Sequence, residues 1–79
     1  MEAIKEFLGK NGFEIGENGV MSNSKCNVSI INNSYCILAY GNEFSEYGYD
    51  GCMYSYDLNI YWLIGVLTYY NLIDKNYNQ

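Results

Sequence analysis

Cysteine, histidine and paired carboxylates carry most enzymatic chemistry, so their types and spacing come first. The chain has three cysteines, Cys26, Cys36 and Cys52, and no histidine or arginine. General acid–base work near neutral pH most often uses histidine, and that route is absent. A cysteine nucleophile needs a cationic or basic neighbour to form its thiolate. Cys36 and Cys52 lie in stretches without lysine, in strand-like runs where a small buried hydrophobe is the simpler role. Zinc ligands arrive in close pairs, whereas nine and fifteen residues separate these three cysteines. Glu43, Glu46, Asp50 and Asp57 could formally pair as acid and base, but any acidic loop would meet that test. The stretch 50–57 lacks the alternating oxygen ligands of a calcium loop, and the eight glycines form no phosphate cradle. The residues point to a protein that is not an enzyme and uses neither cofactor nor metal.

What remains is a cluster of tyrosine and acid: Glu43, Glu46, Tyr47, Tyr49, Asp50, Tyr54, Tyr56 and Asp57. Tyrosine offers large contact area at low conformational cost and is frequent at binding hot spots. Interleaved carboxylates would steer a basic surface toward it. The competing structural reading is that Tyr54 or Tyr56 packs in the core while the loop is merely solvated. Charge favours a basic partner. Nine acids oppose four lysines, and no basic residue occurs between Cys26 and Asp74. Binding nucleic acid directly needs lysine or arginine to displace counterions, so a protein partner with a basic surface is expected and direct DNA or RNA contact is not.

These residues need elements to hold them. Ile4, Phe7 and Leu8 fall on one helical face, and Asn11-Gly12 supplies a left-handed stop with Phe13 folding back, so a helix is expected over Glu2–Lys10. Phe13-Glu14-Ile15 alternates, Asn18-Gly19 is a strong hairpin signal, and Val20-Met21-Ser22 returns. Cys26, Val28 and Ile30 alternate with Asn27 and Ser29, and after a turn at Asn32-Asn33-Ser34 the run Tyr35–Tyr40 comes back rich in β-formers. Whether that turn holds two or three residues decides which of Cys36 and Ile37 faces inward. Cys52–Tyr56 is a last strand, and Asp57 is expected to cap a second helix.

That second helix, expected over Leu58–Ile73, is apolar around most of its circumference. Spanning a membrane needs about 20 apolar residues; this run is shorter and includes Asn59 and Asn71, so no membrane segment is expected. Two readings stay open. The helix is wedged between sheet and first helix, or it lends one face to a subunit or partner interface, with Tyr61, Trp62 and Tyr69 as the oligomer contacts. The expectation is one α+β domain over residues 1–79, with a three- to four-stranded antiparallel sheet, both helices on one face, and a frayed polar tail at 74–79. An odd cysteine count and charges inside the first apolar stretch point to a reducing cytoplasm and three thiols.

An acidic chain of this length with helix–sheet–helix order resembles the small inhibitors encoded by phages and mobile elements, among them anti-CRISPR proteins with an α-β-β-β-α plan. The resemblance covers architecture and charge and includes no residue motif. It implies an inhibitor in the host cytoplasm occupying a basic groove of a nucleic-acid-handling enzyme. The alternative is a self-assembling accessory protein, a homodimer built on the apolar helix.

Overall fold

The computed structural model describes residues 2–41, 44 and 52–73. The chain folds as α+β: helix α1 (Glu2–Lys10), strands β1 (Glu14–Ile15), β2 (Met21–Ser22), β3 (Cys26–Ile31), β4 (Ser34–Ala39) and β5 (Cys52–Tyr54), then helix α2 (Ile60–Tyr69). The strands form one antiparallel sheet in the order β1-β2-β3-β4-β5. Three or four strands were expected. The count reaches five because the Asn18-Gly19 hairpin joins the same sheet through two strands of only two residues each. Gly19 at φ 86° ends that turn, its N–H donating to the Gly16 carbonyl at 3.1 Å, a type I turn closed by a left-handed glycine.

The turn between β3 and β4 holds two residues. Asn32 and Asn33 both adopt positive φ, 52° and 63°, the mirror-image turn whose twist matches that of a hairpin. It sets Val28 opposite Ile37 and Cys26 opposite Ala39. Ile37 therefore shares a face with Val28, Met21 and Met53. Cys36 lies on the reverse face, opposite Ser29 and Tyr54. Both Ile37 and Cys36 are buried.

Ile4 and Leu8 from α1 and Leu63 and Leu67 from α2 join the Val28–Ile37 face in one buried cluster, so both helices cover the same side of the sheet. Each helix stops in the same way. Phe13 N–H reaches back to the Leu8 carbonyl and Leu72 N–H to the Leu67 carbonyl, with Gly12 and Asn71 in the left-handed conformation between them. The helix expected to run to Ile73 thus ends at Tyr69, because Asn71 turns the chain and folds Leu72 into the core. Nor does Asp57 cap α2. Asn59 does, its Oδ1 accepting from the N–H groups of Tyr61 and Trp62 at 2.9 and 3.4 Å. The start lies two residues later than expected because Ser55 holds residues 55–57 in a turn of their own.

Candidate functional site

Strand β5 and the segment leading into α2 carry the described part of the tyrosine–acid cluster. Tyr54 ends β5 on the face turned away from the helices and is 53% exposed. Tyr56 is wholly exposed and Asp57 is exposed beside it. Neither tyrosine packs in the core; the period-2 alternation of β5 sends Met53 there instead. Glu43, Glu46, Tyr47, Tyr49 and Asp50 lie outside the described residues. Within that part of the chain Phe44 is described. It is buried and meets the Tyr70 ring edge-on at 4.9 Å, packing against the residue that closes α2.

The turn under Tyr56 is built from buried and part-buried hydrogen bonds. The Ser55 hydroxyl accepts from the Tyr35 N–H at 2.8 Å and donates to the Asp57 carbonyl at 2.6 Å. Ser55 N–H in turn donates to the Tyr35 carbonyl at 3.0 Å. The Tyr35 hydroxyl donates to the Leu58 carbonyl at 3.3 Å, and its ring lies parallel to Trp62 of α2 with centroids 6.4 Å apart. Burial, and then the negative charge of Asp57, raises the Tyr35 phenol above its ordinary pKa. One serine thus ties β4, β5 and the approach to α2 together, and fixes the backbone on either side of Tyr56.

At the other end of α2, Asn23 performs a similar service. Its Oδ1 accepts from the N–H groups of Lys25 and Cys26, while its Nδ2 donates to the Leu72 carbonyl at 2.8 Å. Lys25 Nζ donates to the Asn71 carbonyl. Among the described residues no buried side-chain nitrogen or oxygen lacks a partner. The long-range bonds of Ser55 to Tyr35 and of Asn23 to Leu72 had no signal in the sequence, because they join segments that meet only in the folded chain.

The residues singled out on α2 do not all stand together. Tyr61 and Tyr69 are 80% and 82% exposed; Trp62 is half-buried and packs toward the core. The exposed stripe runs Tyr61, Gly65, Thr68, Tyr69. No group of three or more potential metal-ligating side chains occurs among the described residues. No described helix is long and apolar enough to cross a membrane. All three cysteines are thiols. Compared with protein-family models, with curated proteins and with solved structures, the chain matches none of them.

Proposed function

We propose that this chain is a non-catalytic interaction protein that presents Tyr54, Tyr56 and Asp57 to a basic surface on another protein. The observation that carries the reading is Tyr56, a large aromatic side chain wholly in solvent on a backbone locked by Ser55. A backbone fixed before binding lowers the ordering cost of docking, and tyrosine, with two side-chain torsions, adds little to it. Asp57 lies beside it, and no lysine occurs between Cys26 and Asp74 to oppose an approaching cation. The resemblance in plan and charge to small phage inhibitors makes the phosphate-binding groove of a nucleic-acid-handling enzyme a fitting class of target.

The test starts from a stoichiometric partner recovered with the intact protein from its host. Tyr56→Ala should speed dissociation by an amount worth ~1–3 kcal/mol, and Tyr54→Ala by less. Asp57→Asn should slow association and weaken its dependence on ionic strength, because rim charges act mainly on encounter. A partner that binds the triple variant with unchanged rates would place the working surface elsewhere.

A further inference from the structure

The outer face of α2 has a symmetry that the partner surface lacks. Tyr61 and Tyr69 lie four residues before and four after Gly65. At 3.6 residues per turn they project about 40° to either side of it and about 6 Å to either end. Gly65 is exposed, and a Cβ added there would meet nothing within 4 Å. We infer that this face binds a second copy of the chain, with two α2 helices crossing antiparallel at Gly65 and Tyr61 of each packed against Tyr69 of the other.

Three observations select a second copy as the occupant. A two-fold contact requires that residue i meet j while j meets i, and the equal spacing about Gly65 satisfies this for Tyr61 and Tyr69. The absence of a side chain at the crossing point lets the two helix axes come close. Charge favours the same occupant over a basic partner. The chain carries a net charge of −5, yet Ile60–Tyr69 contains no charged residue. Two acidic copies repel where their carboxylates face each other; on this helix they meet without opposing any, and an uncharged face gives a basic partner nothing to steer toward.

The area is also of the right order. An aromatic side chain buries about 150–250 Å², so the four exposed tyrosines of a pair bring roughly 500–800 Å² to the contact. Thr68 and the flanking Ile64 add to that. Stable specific interfaces reach about 1,000 Å² in total, so the pair is a weak, concentration-dependent one.

Self-association through α2 does not depend on the Tyr56 surface, and one set of variants separates the two. Sedimentation of the intact protein over a hundredfold concentration range should show the mass rising from one chain toward two. Gly65→Glu should weaken this association at least tenfold by setting two carboxylates against each other at the crossing. The open space around Gly65 and the better helix propensity of Glu should leave far-UV circular dichroism unchanged. Tyr61→Ser with Tyr69→Ser should do the same without adding charge, while Tyr56→Ala should leave self-association intact. A strict monomer across the range, or a dimer that survives Gly65→Glu, would overturn the pairing. So would a monomer that uses this face to hold a different protein, seen as a stoichiometric complex lost in Gly65→Glu.

Discussion

Ser55 joins β4 to the turn before α2 through one hydroxyl. It is buried, and its hydroxyl is donor and acceptor at once between two stretches of backbone. Replacing it with Ala leaves the Tyr35 N–H without its acceptor and the Asp57 carbonyl without its donor. Leaving such groups unsatisfied costs about 1–3 kcal/mol, so Ser55→Ala should lower the free energy of urea unfolding by that amount. A change under about 0.5 kcal/mol, the range of neutral surface substitutions, would mean that packing alone holds the turn. Tyr35 adds a pH dependence. Burial, with Asp57 second, keeps its phenol protonated beyond the usual range. Below about pH 10 both folded and unfolded chains hold the proton, and the contribution is whole. Above it the unfolded chain releases the proton first, so stability falls as pH rises through the folded-state pKa. Tyr35→Phe should flatten this alkaline decline in urea midpoints measured between about pH 9 and pH 11.

At the scale of elements, caps determine where α2 lies. Asn59 occupies the N-cap with extended backbone, φ −79° and ψ 111°, and satisfies two N–H groups of the first turn. Asn59→Ala should therefore cost about 0.5–2 kcal/mol, whereas Asp57→Ala should stay within about 0.5 kcal/mol. Thermal unfolding of the two variants side by side checks this, and an equal loss in both would return the cap to Asp57. The contrast between the helix ends shows what local sequence reveals. Asn11-Gly12-Phe13 announces its stop through glycine, and α1 ends at Lys10 as expected. At Asn71 the same motif is built without glycine and inside an apolar run that continues to Ile73. Periodicity alone therefore carries the second helix past its true end.

Across the whole molecule, burial ranks the three thiols. Cys26 is fully buried with its sulfur near the Leu72 carbonyl, Cys36 is nearly so, and Cys52 is only half-buried. Titration of the native protein with a thiol reagent should modify Cys52 first and Cys26 last, and unfolding without reductant should reveal three equivalent groups. Fewer than three would show a disulfide, and a fast Cys26 would mean that the end of α2 opens readily. A small domain with one core has little reserve of stability, and the bonds from Asn23 to the Leu72 carbonyl and from Ser55 to β4 link its elements where apolar contact alone would be thin.

Periodicity and turn chemistry made much of this architecture legible from residues alone: the extent of α1, the glycine-marked stop, the Asn18-Gly19 hairpin, the strand runs and the α+β order. Those signals are local, since glycine's freedom and alternation of side chains act over a few residues. Three matters needed the folded chain. The number of residues in the Asn32-Asn33 turn set which faces Cys36 and Ile37 occupy, because a shift by one reverses every side chain. The exposure of Tyr54 followed from β5 pairing with β4, which placed Met53 on the core side, and that of Tyr56 from the turn that Ser55 holds beyond the strand. The outward face of α2 was only faintly marked in sequence, by Gly65 and Thr68 in a helix otherwise apolar or aromatic, and the position of the sheet singles out Leu63 and Leu67 to be covered and leaves Tyr61, Gly65 and Tyr69 in solvent.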